Sequence, residues 1–378
     1  MSGEYVQTIV IGGGQAGLAT GYHLSRRGMP FVILDANARV GDAWRKRWDS
    51  LKLFTPGKYA GLPGMRFPGP RSGFATKDQV ADYLEAYAAR FRLPVRTGTR
   101  VESVTRQGER FVVATAGGGR LEADQVVVAM ANFQVPRVPA FAHELDPGIV
   151  QLHSRDYRNP TQLRPGPVLV VGVGNSGGEI ALEVARTQPT WLAGKEAGEL
   201  PFRIEGFVAR HFLVALVRFL GHHILSLGTP MGRKLRPKLL HGGTPLVRVK
   251  TADLAPAGVE RVPRVAGVRR GIPLLQDGRT LDVANVIWCT GYEPGFSWLH
   301  LPVFDDRGEP IHERGVVDRE PGLYLVGLHF QYAMSSATLI GVGRDAKHVV
   351  RSLEERVRSA RPAGASQALP AAGGAAAA

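Results

Sequence analysis

Residues 8–17 read T-I-V-I-G-G-G-Q-A-G. The short apolar run Val6 to Ile11 ends in Gly12, Gly14 and Gly17, spaced G-x-G-x-x-G, and a stretch rich in alanine and leucine, Leu18 to Leu24, follows. Strand, glycine turn, helix is the context in which this spacing signals a dinucleotide site. Gly12 allows the tight turn, Gly14 lets a pyrophosphate approach the backbone, and Gly17 lets the helix lie close to the strand. The free N–H groups of the helix start then face the phosphates. A second apolar run, Phe31 to Leu34, ends in Asp35, one strand–helix–strand unit beyond Gly12. A carboxylate at that point accepts hydrogen bonds from both hydroxyls of an adenosine ribose.

A glycine turn without a ligand would explain this stretch taken alone. The chain repeats it, however. Pro165 to Val171 runs into Gly172, Gly174 and Gly177, followed by a helical stretch, Gly178 to Arg186, and a short strand, Thr190 to Ala193. Lys195 follows Gly172 at the same offset by which Asp35 follows Gly12. The same slot holds an acid in the first copy and a base in the second. A base favours a 2′-phosphate, which a carboxylate repels. The first copy is therefore expected to hold an adenine dinucleotide with a free 2′-hydroxyl, and the second NADPH. Further candidate cofactor contacts are Gln15, Ala16, Trp44, Val101, Asn175, Ser176, Thr290 and Gly291.

At 378 residues the chain is long enough for two cores. Its single cysteine, Cys289, excludes a disulfide framework, a C-x-x-C redox pair and a cysteine-rich metal site. A cytoplasmic setting is expected, since there is neither a leader pattern nor a run of apolar residues long enough for a membrane span. The net charge is +14. Arginine-rich composition accounts for much of it and bound dinucleotides offset part, so no nucleic-acid role is expected.

The expected architecture is α/β, with two Rossmann-like units, the NADPH unit inserted into the first. The first unit runs over 1–140 and resumes over 289–358. The second covers 141–288, and 359–378 is a tail without a core pattern. Val40 to Pro56 and the Gly/Pro-punctuated 57–70 read as loop, and Lys77 to Phe91 as helix. Short strands are expected at Val101 to Thr105, Arg110 to Thr115 and Val126 to Ala129, with a hairpin turn at Gly117 to Gly119. Ala131 to Pro139 reads as a stiff linker. Val283 to Thr290 should close the second unit, and Gly341 to Arg344 should open a last helix. The segment 201–250 carries nine basic residues and one acid, Glu205. Within it Phe207 to Leu227 reads as an apolar helix with His211, Arg218 and His222 on one stripe. Two roles suit it: a buried or lid-like helix first, a peripheral membrane contact second. The adjacent His222 and His223 diverge, and no metal site is expected.

Two G-x-G-x-x-G units, a linker and the late W-C-T-G-Y, Trp288 to Tyr292, resemble the flavin-containing monooxygenases with two dinucleotide-binding domains. W-D-S-L-K-L-F-T-P, Trp48 to Pro56, and H-S-R-D-Y-R-N-P, His153 to Pro160, are similar to bacterial YUCCA-like enzymes and to flavoproteins labelled as linked to cation transport. The resemblance spans about Tyr5 to Arg358. It implies FAD at the first motif and NADPH at the second. It also implies an NADPH- and O₂-dependent monooxygenase that forms a C4a-(hydro)peroxyflavin and oxygenates a small organic substrate. His153 and Tyr157 keep the second half of the family fingerprint. Gly148 sits one residue too far from His153, and the fingerprint's phenylalanine is missing. Tyr157 in place of tryptophan points away from Baeyer–Villiger enzymes. Pro56 follows Phe54 and Thr55 where amine-oxidising members carry asparagine, which points away from simple N-oxygenation and leaves the resemblance without a catalytic residue to carry over. The cleft is expected between Trp44, the Leu51 to Pro63 loop and the Phe207 to Leu227 helix. Two other functions share the architecture: an NADPH-dependent ferredoxin-type reductase, and a non-catalytic nucleotide-sensing flavoprotein associated with ion transport.

Overall fold

The chain is described here by a computed structural model covering residues 3–196, 198–241 and 245–359. Its frame is a pair of five-stranded parallel sheets built to one plan. In the first sheet the strands run Leu323–Leu325, Gln125–Val128, Thr8–Ile11, Phe31–Leu34, Val95–Arg96. In the second they run Val150–His153, Asn285–Trp288, Val168–Val171, Thr190–Ala193, Val259–Val262. Each glycine motif leaves the central strand of its sheet. The continuous apolar runs, such as T-I-V-I and V-L-V-V, follow from burial on both faces, which a parallel sheet covered by helices imposes. The strand Leu323–Leu325 returns the chain to the first sheet after the second is complete.

Helices follow both motifs at once, Gln15–Ser25 and Asn175–Val184. The helix Lys77–Arg90 starts at a capping box in which the Thr76 hydroxyl accepts from Gln79 N–H while the Gln79 side chain accepts from Thr76 N–H. The last helix, Val342–Ser359, packs its Val342, Ala346, Val349, Val350 and Leu353 stripe into the core beside Leu18, Leu84 and Tyr324. The antiparallel strands Val101–Gln107, Arg110–Thr115 and Arg120–Ala123 form a small sheet, with the turn at 117–119 as expected. The prolines of the linker do not leave it isolated: Val135–Pro136 pairs antiparallel with Tyr292–Glu293, so the two crossings between the units form one ribbon.

The structure corrects three expectations. Part of the stretch read as loop is a strand, Lys52–Pro56, paired with Phe74–Thr76 across the Gly/Pro-rich segment. Its partner lies on the far side of that segment, and local composition does not reveal the pairing. The apolar segment is not one regular helix: π-helical turns at Ala209–Leu213 and Leu220–Ile224 flank Val214–Phe219. A π turn advances the chain by i→i+5, so 3.6-residue arithmetic fails across it. His211 accordingly stands exposed while Arg218 and His222 turn inward. Nor is the segment buried, because its outer face is bare. Beyond Ser359 the expected tail lies outside the described residues. Among the described residues no helix is long and apolar enough to cross a membrane.

Candidate functional site

The two glycine motifs form near-identical cradles. Gly12 and Gly172 have φ of +108° and +114°, a left-handed conformation that favours glycine. A Cβ on Gly17 would overlap the Gly12 carbonyl oxygen, and one on Gly177 would overlap that of Gly172. By contrast, a Cβ on Gly14 or Gly174 would meet no protein atom within 4 Å. The space over the middle glycine is open, as a pyrophosphate approaching the backbone requires. Neither Gly14 nor Gly174, each the N-cap of its helix, supplies a side-chain cap. Each cradle therefore presents the positive end of a helix dipole, where an anion is stabilised. These features fit dinucleotides in both cradles.

The cradles differ at one corner. In the first, the Asp35 carboxylate accepts from Gly13 N–H at 2.6 Å and from the Asn37 backbone and side-chain N–H groups at 2.7 and 2.9 Å. A Cβ on Gly13 would meet Asp35 Oδ2, so the middle glycine of G-G-G makes room for the acid. The sequence reading missed Gly13, although the triple glycine signals it. In the second cradle Val173 takes the place of Gly13, and the chain leaves the sheet through Gly194 at φ +145° into exposed Lys195. Arg261, on the neighbouring strand, donates to the Gly194 carbonyl at 3.2 Å and puts a second cation beside this slot.

The other candidates fall into groups. Gln15 receives the Trp44 indole N–H at 3.2 Å and donates to the Ala337 carbonyl at 3.1 Å, tying the first helix to the loop before the last one. Ala16 is buried at the first turn. Val101 follows the turn in which Thr99 N–H donates to the Asp35 carbonyl. Asn175 faces the 245–247 segment: its Nδ2 donates to the Pro245 carbonyl and its Oδ1 accepts from Val247 N–H. Ser176 lies half-buried beside it. Thr290 and Gly291 sit on the linker ribbon, where the Thr290 hydroxyl donates to the Arg137 carbonyl and Arg137 N–H donates to the Gly291 carbonyl.

Comparison with known proteins agrees with these cradles. Residues 9–192 match the Pyridine nucleotide-disulphide oxidoreductase family. An oxidoreductase of Geobacillus kaustophilus described as CzcO-like is 39% identical over 92% of this chain and 98% of its own. Indole-3-pyruvate monooxygenase YUCCA1 of Oryza sativa is 30% identical, with 93% of each chain covered. A solved flavin-containing monooxygenase from Stenotrophomonas maltophilia superposes with a TM-score of 0.75 at 30% identity, covering 94% of this chain and 99% of that one. The chain belongs to the flavin-containing monooxygenase family. It is thereby an oxidoreductase of an oxygenating class that works with FAD and NADPH.

In this flavin-containing monooxygenase the single cysteine has a packing role. Cys289 follows the strand beside the central one in the second sheet as Ala129 does in the first, and each packs against the first and last glycines of its motif. Desolvation pushes the Cys289 thiol up to about 12, far from reactive. The fingerprint residues His153 and Tyr157 are braces. His153 Nδ1 accepts from Arg155 N–H at 3.1 Å, which leaves Nε2–H to donate to the Gly291 carbonyl at 3.1 Å. Its ring meets Tyr292 edge-on at 4.9 Å. Burial lowers the His153 pKa and favours this neutral form. Buried Tyr157 donates to Glu183 at 3.0 Å, anchoring the same turn to the helix of the second motif.

Arg248 joins the units across the cleft. Its guanidinium donates to Glu179 at 2.9 Å on the second motif's helix and to Glu205 at 2.7 Å on the basic segment. It also donates to the Leu53 and Lys52 carbonyls of the first unit's ribbon, at 2.7 and 3.3 Å, and lies over Phe54 and Phe74. Sequence reading counted Arg248 only as one of nine positive charges. The helical segment 207–224 rests on the same ribbon and on the turn after it: Arg210 lies over Phe74 and Arg218 over Tyr59. His222 reaches Ser335 at 2.9 Å, and Arg344 donates to the His222 carbonyl at 2.7 Å. The segment thus spans from the second unit to the loop before the last helix of the first. Trp44 stands apart from the cavity beneath this segment, which is lined by Tyr59, Leu62, Met65, Phe67, Arg218 and Ile340 among others.

Proposed function

We propose that FAD is held at Gly12, Gly14, Gly17 and Asp35, that NADPH is held at Gly172, Gly174, Gly177 and Lys195, and that a small organic molecule is oxygenated with O₂. The observation that carries the assignment is the corner at which the two cradles differ. Gly13 and Asp35 present a carboxylate suited to a ribose diol, whereas Val173, Lys195 and Arg261 present cations suited to a 2′-phosphate. The ribbon that pairs Val135–Pro136 with Tyr292–Glu293 supports domain boundaries at 140 and 288.

When bound, FAD supplies the hydride acceptance and oxygen activation that no side chain can perform. The chain positions and encloses. Gln15 fixes Trp44 and the Ala337 carbonyl around the first helix start. Arg248 holds the ribbon Lys52–Pro56 against the helix of the second motif, so that both cofactors face one cleft. The 207–224 segment covers part of that cleft and limits water.

The open space over the middle glycines permits a clean test. Gly14 and Gly174 have φ of −78° and −90°, so a valine at either position meets no backbone strain and no protein neighbour within 4 Å of its Cβ. Gly14→Val should fold yet purify without FAD. Gly174→Val should retain FAD and raise KM for NADPH at least tenfold. Retention of FAD by Gly14→Val, or loss of FAD from Gly174→Val, would reverse the assignment.

A further inference from the structure

The apolar segment folds with its polarity inverted. Its cations, Arg210 and Arg218, turn inward onto Phe74 and Tyr59. Its large apolar side chains turn outward: Phe207, Val208, Phe212, Leu216, Phe219 and Leu220 stand 40–75% exposed. Met334 extends the patch: its side chain lies beside Gly221 and its N–H is bound to the Leu225 carbonyl. A contiguous bare patch of this kind on a folded protein marks an interaction surface.

The charge around the patch selects the partner. Gly206 to His241 contains Arg210, Arg218, Arg233, Lys234, Arg236 and Lys238 and no acid. Gly57 to Arg71, across Arg218, adds Lys58, Arg66 and Arg71, again with no acid. Lys58, Arg66, Arg71 and Arg218 line one cavity of about 780 Å³ that has no carboxylate in its wall. Arg233, Lys234 and Lys238 are exposed on the helix Pro230–His241, which follows the apolar segment. Aromatic and aliphatic side chains projecting from a rim of unneutralised cations match the interface of an anionic bilayer, with the apolar groups at the acyl boundary and the cations at the headgroups. A second copy of the chain would instead bring two cationic rims together.

We infer that the outer face of residues 207–224, with the basic helix Pro230–His241, docks the enzyme on anionic lipid. The contact is peripheral and leaves the cofactor cradles in the aqueous part of the molecule.

The test is sedimentation of the FAD-loaded full chain with vesicles of phosphatidylcholine alone or with about one third phosphatidylglycerol, at low and high salt. Binding should require the anionic lipid and weaken with salt. Phe212→Ser with Phe219→Ser should weaken partition by about tenfold per residue. Lys234→Gln with Lys238→Gln, on an exposed helix where folding is not at stake, should weaken it by roughly fivefold per charge. FAD content and unfolding temperature report that each variant is folded. Absence of binding at low salt, equal binding to neutral vesicles, or binding unchanged in both variants would overturn the inference. Concentration-dependent dimerisation that Phe212→Ser abolishes, without vesicle binding, would also overturn it and assign the face to a second copy.

Discussion

Replacing Arg248 with alanine removes a side chain that ties both units and the basic segment together. Glu179 keeps only 9% of its side chain exposed, and burial pushes its carboxyl up to about 7 even though Arg248 pulls it down. Without the arginine the carboxylate must stay charged and unpaired or take up a proton. Breaking a buried pair costs about 3–5 kcal/mol, and the lower end applies because Glu179 can escape by protonation. Glu205 is 40% exposed, so its pair adds about 1 kcal/mol at most. A loss of about 3 kcal/mol lowers the unfolding temperature of a chain this size by roughly 4 °C. The effect has a pH signature. A carboxyl with a raised folded pKa contributes stability below its unfolded pKa and loses it as pH rises through the folded value, here between about 4.5 and 7. At pH 6 Glu179 is largely neutral with or without the arginine, so the Arg248→Ala penalty should be about 1.4 kcal/mol smaller at pH 6 than at pH 8. Thermal unfolding of wild type, Arg248→Ala and Arg248→Ala/Glu179→Gln at both pH values measures this. The double variant should recover at least half of the loss at pH 8. A shift of less than about 1 °C, or an equal penalty at both pH values, would refute the clamp.

Other predictions follow from single corners of the structure. Lys195→Glu replaces an attraction to a 2′-phosphate with a repulsion, about 1 kcal/mol each at 4 Å in water, so the ratio of kcat/KM for NADPH over NADH should fall roughly 30-fold; an unchanged ratio removes Lys195 from the site. Asp35→Ala should purify with little FAD, read from the visible spectrum, because Gly13 and Asn37 lose their acceptor along with the ribose. Burial lowers His23, His222 and His312 to about 4, so their neutral forms contribute stability above pH 6.5 that is lost as pH falls toward 4. The unfolding temperature should drop from pH 7 to pH 4.5, and His23→Asn should flatten that drop by an amount equivalent to about 3 kcal/mol.

The paired cradles were legible because each rests on local facts. Glycines at fixed offsets and apolar runs buried on both faces lie within a few residues of one another. The matched offsets of Asp35 from Gly12 and of Lys195 from Gly172 placed both at the ends of the expected strands. What the sequence did not show depends on distant partners. The ribbon Lys52–Pro56 takes its shape from Phe74–Thr76, and Arg248 takes its meaning from Lys52, Leu53, Glu179 and Glu205. The strand Val259–Val262 carries Glu260 and Arg261 at its centre, and its apolar content is too sparse to announce an edge strand. The π turns in 209–224 moved His211 off the stripe on which a regular helix would place it, and only the folded backbone shows which side of that segment faces out.

The central claim is that this chain passes electrons from NADPH to a flavin held by Gly12 to Gly17 and from there to O₂. The most direct measurement is anaerobic mixing of the FAD-loaded protein with NADPH, followed by admission of air, with the flavin spectrum and oxygen uptake recorded together. The visible band of the oxidised flavin should bleach on NADPH addition and return in air, with oxygen consumed in proportion to NADPH. A flavin that stays oxidised in excess NADPH, or one that is reduced but transfers its electrons without taking up oxygen, would contradict the account.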